Sequence, residues 1–125
     1  MSEAEGKYRG TVLYHLVYGE LIQAARFRGL TTYQAIAQIM GLPLQGSYMG
    51  REVGLMLGEI TENELREGRP MLSAVAIGVS GTPGPGFGGL ARSLGKLASE
   101  DKAEEKAFWE KEREAVYKAW AREFK

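Results

Sequence analysis

Only one stretch of this chain has the residue pattern of a β-strand, and that limits what the chain can build. MLSAVAIGVS, residues Met71–Ser80, is alternating to continuous apolar and partly β-branched, and it reads as a strand. The TPGPGFGG that follows cannot extend it, because Pro83 and Pro85 lack amide donors and the glycines favour turns. The other patterned segments carry helical spacing. The expectation is a mainly α chain with a small β element, and 125 residues suffice for a single domain, 1–125, with one core.

From Thr11 to Arg28 the apolar positions Leu13, Leu16, Val17, Leu21, Ala24 and Ala25 recur at three and four, which predicts an amphipathic helix with Gly29 as its C-cap. Thr32 is a good N-cap for a short helix whose Tyr33, Ile36, Ala37 and Met40 share a face, closed by Gly41 and Pro43. After the loop LPLQGSYMG a third helix begins near Tyr48–Arg51. Its stripe is Val53, Met56, Leu57 and Ile60, with a break expected near Gly58 or Thr61. A short helix, a turn and a second helix make a helix-turn-helix candidate. GLARSLGKLA adds one or two helical turns. From Ser99, a capping residue, a long amphipathic helix carries Trp109, Val116, Trp120 and Phe124 along one stripe.

Composition removes several classes of function. Sixteen basic residues balance sixteen acidic ones, so a strongly basic face of the kind a non-specific nucleic-acid binder uses is absent. With no cysteine there is no disulfide, thiolate metal site or thiol nucleophile, and neither cofactor nor metal is expected. No apolar run approaches the roughly 18 residues of a membrane span, and MSEAEGKYRG lacks the apolar core of a secretory signal. A cytoplasmic location is the default expectation.

The candidate sites divide in the same way. Gly84–Gly89 satisfies G-x-G-x-x-G after a strand, but no second β-rich segment follows to complete a dinucleotide fold, and no Gly-Lys-Ser/Thr is present. Glu59, Glu62, Glu64 and Glu67 could pair for acid–base or metal chemistry, yet no histidine lies near them, and a solvated polar face is the simpler expectation. His15, the only histidine, reads as a surface or core-edge group. Ser73 and Ser80 have no nucleophile elbow. Nothing here assembles a catalytic constellation, and the chain is read as a non-enzyme.

Taken together, TTYQAIAQIMGLP, GREVGLML and RPMLSAVAIGVSGTPGPGFGGLARSLG resemble the C-terminal DNA-binding domain of the alkylguanine-DNA alkyltransferases and the alkyltransferase-like proteins. Thr32-Tyr33-Gln34-Ala35-Ile36-Ala37 matches that family's T-Y-G/Q-x-[IL]-A segment, and Arg51-Glu52-Val53-Gly54 matches the R-x-V-G of its recognition helix. The resemblance covers roughly residues 11–95 and implies a winged-helix-like core, with 99–125 as an added C-terminal helix. It departs where the family's enzymes carry P-C-H-R-V. Here Pro70-Met71-Leu72-Ser73-Ala74-Val75 lacks the cysteine, histidine and arginine, so alkyl transfer to a thiolate is excluded.

Binding to double-stranded DNA is what the resemblance leaves. It implies Tyr33 at a phosphate of a flipped nucleotide and Arg51 in the space the base vacates; the neighbouring Arg26, Arg28 and Gln34 are expected as further contacts. A repair-like sensor or accessory factor would follow. The alternative is a protein–protein module using the acidic segment 59–69 and the aromatic C-terminal helix. Its Trp109, Trp120 and Phe124 would then meet a protein partner or a second copy of the chain.

Overall fold

The structure, a computed structural model, describes residues 6–84 and 86–122. Pro85 and Phe124, both used in the sequence analysis, lie outside the described residues. Five α-helices and a two-stranded sheet follow in the order α1 (Val12–Arg26), β1 (Thr31–Thr32), α2 (Tyr33–Met40), α3 (Ser47–Arg66), a 3₁₀ turn (Leu72–Val75), β2 (Ala76–Ile77), α4 (Gly86–Ser93) and α5 (Lys102–Ala119). No helix among the described residues is long and apolar enough to cross a membrane.

The largest departure from the sequence pattern concerns the predicted strand. Over Met71–Ser80 only Ala76 and Ile77 form a strand, pairing in parallel with Thr31 and Thr32. Leu72–Val75 instead coil into a 3₁₀ turn, every residue of it buried. The partner strand is two residues long, so there is no ladder for more of the segment to join. The coiled turn sits in the centre of the molecule with α1, α3 and α5 packed around it. A continuously apolar run of this length satisfies either geometry, because full burial erases the alternation that marks a strand.

The helices follow their periodicity with local corrections. In α1 the buried face is Tyr14, Val17, Leu21 and Ala25, and Leu16, expected inside, is exposed. The helix closes one residue earlier than a glycine cap would have it. Arg28 takes the left-handed conformation at φ 55°, and the Arg28 and Gly29 amides return to the Ala25 and Ala24 carbonyls. Helix α2 begins as predicted, with the Thr32 hydroxyl accepting from the Ala35 amide, and ends on Gly41 at φ 74°. Helix α3 runs unbroken past Gly58 and Thr61. The Thr61 hydroxyl is buried and donates to the Ser73 hydroxyl at 2.9 Å, so this polar residue turns inward instead of ending the helix. Helix α5 is capped by Asp101, whose carboxylate accepts from the Glu104 amide. Ser99 lies outside the helix and accepts from the Asp101 amide.

Helix α5 is part of the core, and this decides the fate of the proposed partner residues. Trp109 is buried, donates its indole N–H to the Ala74 carbonyl at 2.8 Å and carries Arg113 over its ring. Trp120, half-buried, stacks under Arg69. Tyr117 reaches the Gly29 carbonyl. Trp109, Val116 and Trp120 of the stripe therefore pack on their own chain.

The acidic segment is corrected most strongly. Glu59 and Glu64 are buried rather than solvated, and so are Glu52 and Glu112. Each has an answering donor. Glu64, fully buried, takes both arms of Arg69 at 2.9 and 2.8 Å and a hydrogen bond from the Tyr18 hydroxyl. Glu59 accepts the backbone amides of Lys7, Tyr8 and Arg9 at 2.7 to 2.9 Å. Glu112 accepts from the Met71 amide and the Lys96 ammonium. A carboxylate leaves water only where such donors replace its hydration.

The Tyr18–Glu64 contact and the hydrogen bond that the Tyr8 hydroxyl donates to buried Glu52 predict an alkaline response. Burial first, and then the neighbouring carboxylate, push the Tyr18 and Tyr8 hydroxyls from 10.0 up to about 12. A group whose folded pKa is raised contributes stability that is fully present below the unfolded value and is lost as pH rises through the folded one. Unfolding free energy is therefore expected to fall between pH 10 and about 12, with Tyr8 and Tyr18 among the tyrosines that titrate late by ultraviolet absorbance, alongside Tyr33 and Tyr117. Tyr18→Phe should flatten that fall, and a variant with the wild-type profile would refute the assignment.

Candidate functional site

The two residues singled out by the sequence motifs stand on opposite sides of one cleft. It opens between the first turn of α2, the first turns of α3 and the loop after β2, and encloses about 660 Å³. Thr32, Tyr33 and Gln34 form one wall, Gly50, Arg51 and Gly54 a second, and Ile77, Gly78, Val79 and Gly84 a third. Among the described residues, Arg51 is the only charged one lining it, and no carboxylate does.

Tyr33 comes to the cleft because it is the first residue of α2, set in place by the Thr32 cap. Its ring is half-buried against Gly84, where a Cβ would stand 2.6 Å from the tyrosine oxygen. Any side chain at 84 would displace the ring. Burial raises the Tyr33 pKa and the Gly84 backbone partly offsets this, so the hydroxyl stays protonated and can donate at neutral pH. Arg51 differs in every respect. Its side chain is 64% exposed, lies over the Tyr48 ring at 5.4 Å and forms a loose ion pair with the adjacent Glu52, 3.8 Å from Nε to Oε2, without a hydrogen bond. Gln34, named as a nucleic-acid contact, also lines the cleft, and its amide donates to the Leu44 carbonyl and so pins the loop between α2 and α3.

Arg26 and Arg28 are not brought to the cleft. Arg28 is paired with Glu114 of α5 at 2.7 Å, drawing that carboxyl below its usual range, and lies over the Tyr117 ring. The Arg26 carbonyl accepts from Arg122, and its side chain is exposed at the far end of α1. His15 is exposed on α1 against the edge of Tyr14. No group of three or more histidine, aspartate or glutamate residues that could hold a metal ion occurs among the described residues.

Sequence reasoning named Gly54 and Gly58 but missed that the glycines of α3 form a wall. Gly50 and Gly54 face the cleft, and Gly54 and Gly58 line a smaller cavity of about 80 Å³ that continues from it past Tyr33. An added Cβ at any of the three would meet nothing within 4 Å. Glycine inside a helix costs roughly 0.5–1 kcal/mol relative to alanine, and here no packing within the chain explains that cost. Their four-residue spacing was visible in the sequence, one helical turn per step. Only the position of α3 makes it the smooth wall of a cleft.

Comparison with models of protein families, with curated proteins and with solved structures found no match to this chain.

Proposed function

We propose that this is a non-enzymatic, winged-helix-like protein that binds double-stranded DNA at the Tyr33–Arg51 cleft, as a repair-like sensor or accessory factor. The observation that carries the proposal is the placement of these two residues across one apolar, carboxylate-free cleft. The two residues, eighteen apart in the chain, belong to segments that resemble the alkyltransferase DNA-binding domain. A half-buried tyrosine hydroxyl can donate to a phosphate, and a free guanidinium can fill the gap left by an unstacked base. The buried Glu59 and Glu64 are tied to donors elsewhere, and Glu52, beside Arg51, has one oxygen taken by Lys7 and Tyr8. Helices α2 and α3 follow in helix-turn-helix order, and on this reading the loop after β2 would serve as the wing. With no cysteine in the chain, the role is binding without thiolate transfer.

The test is binding to a labelled duplex, with and without a modified guanine, across a salt series. Because Arg51 is the one charged residue described in the cleft, the salt dependence should be shallow, near one phosphate's worth of counterion release at that position. Affinity that is absent even at low salt would sink the proposal.

A second expected result separates the cleft from the fold. Gly54→Ala should raise stability by about 0.5–1 kcal/mol, as an alanine in a helix interior does, while weakening duplex binding by narrowing the cleft. Thermal melting and a binding titration on the same sample check both halves. A more stable variant with undiminished affinity would show that the α3 wall is not in contact with DNA.

A further inference from the structure

We propose that Lys7 and Tyr8 are positioning residues for the cleft, keeping the Glu52 carboxylate in a loose ion pair with Arg51 and out of hydrogen-bond contact, so that the guanidinium's donors stay available to a phosphate. The inference rests on the nucleic-acid reading above. Glu52 directly follows Arg51 in α3 and is almost completely buried. Its Oε1 is taken by the Lys7 ammonium at 2.7 Å and by the Tyr8 hydroxyl. Its Oε2 lies 3.8 Å from the Arg51 Nε, beyond hydrogen-bond length. A carboxylate without those two donors would have a guanidinium beside it, able to donate to it through two parallel hydrogen bonds. A phosphate entering the cleft would then have to displace an internal partner before reaching Arg51.

What fixes Lys7 and Tyr8 is a second carboxylate two turns further along the same face of α3. Glu59 receives three successive amides, from Lys7 to Arg9, in the manner of a backbone anion nest. Gly6, at φ 72°, begins the nest, and a Cβ there would stand 2.5 Å from the Glu59 carboxyl carbon. Arg9 adds a bond to the Glu59 carbonyl and lies 3.8 Å from Glu62. Glu59 thus holds the backbone of the segment, and Glu52 receives its side chains. The attachment is mostly polar, so its effect on Arg51 is electrostatic and can be removed without opening the core.

The experiment compares affinity for a labelled duplex among the wild-type chain, Arg51→Ala, Lys7→Met and Lys7→Met/Glu52→Gln, with thermal melting as a check of folding. Lys7→Met is expected to weaken binding about fivefold, the size of one unit-charge interaction at a solvated surface. The added Glu52→Gln should restore affinity, because no carboxylate is then left to compete for Arg51. A purely structural role for the segment predicts the reverse, since replacing the Glu52 carboxylate by an amide loosens the attachment further. Loss in Lys7→Met that Glu52→Gln does not relieve overturns the inference. Unchanged affinity in Lys7→Met also overturns it, and if Arg51→Ala is weakened in the same series the binding reading stands. A wild-type chain that does not bind the duplex removes both.

Discussion

Arg69→Met is expected to destabilise the fold by about 3 kcal/mol, the lower end of what removing one partner of a buried ion pair costs. Glu64 has no exposed surface, and Arg69 supplies two of its donors, leaving the Tyr18 hydroxyl alone to face the carboxylate. The lower end applies because the Arg69 side chain is itself 34% exposed, so water can enter where it is removed. Arg69 also covers the Trp120 ring, and methionine retains part of that contact. Urea denaturation should give a lower midpoint with an unchanged slope. The double variant Arg69→Met/Glu64→Gln should recover most of the loss, because the penalty comes from the stranded charge and not from the missing bond. A single variant within about 0.5 kcal/mol of wild type, the range of ordinary surface substitutions, would mean that Glu64 is solvated in solution.

Arg51→Ala should behave in the opposite way, leaving stability within about 0.5 kcal/mol of wild type and weakening duplex binding by about 2 kcal/mol, roughly thirtyfold. The side chain is 64% exposed and touches only the Tyr48 ring and, loosely, Glu52, so the fold does not depend on it. The slope of affinity against salt should fall by about one phosphate's worth if the guanidinium meets the backbone. If it instead occupies the space of an unstacked base, affinity falls with the salt slope nearly unchanged. The same titration thus reports both whether Arg51 binds and what it binds. Wild-type affinity in this variant would move the contact elsewhere.

The sequence was most legible where structure is local. Thr11, Thr32 and the spacing of Ile36, Ala37 and Met40 set helix starts and faces that the structure keeps. It was least legible at Met71–Ser80, where burial on all sides makes a 3₁₀ turn and a strand read alike. Leu16 illustrates the limit of periodicity. It shares the helical spacing of Val17 and Leu21, but α1 is rotated so that Tyr14 faces the core instead. The candidate site was legible in its two ends, Tyr33 and Arg51, and illegible in between. The glycine wall of α3 needed the cleft to give it meaning, and Arg28 was lost to Glu114, eighty-six residues away in the chain.

By itself, the sequence determined a mainly helical chain with little β structure, without thiol chemistry and without net charge. These follow from composition and from spacing within one or two turns, which no later folding step can alter. Only the tertiary structure decided which glutamates are solvated and which are inside. Glu52 and Glu59 are answered by Lys7, Tyr8 and Arg9, more than forty residues earlier, and Glu112 by the amide of Met71. A carboxylate's place depends on whether donors reach it from elsewhere in the chain, and nothing in the residues beside it records where those donors will be.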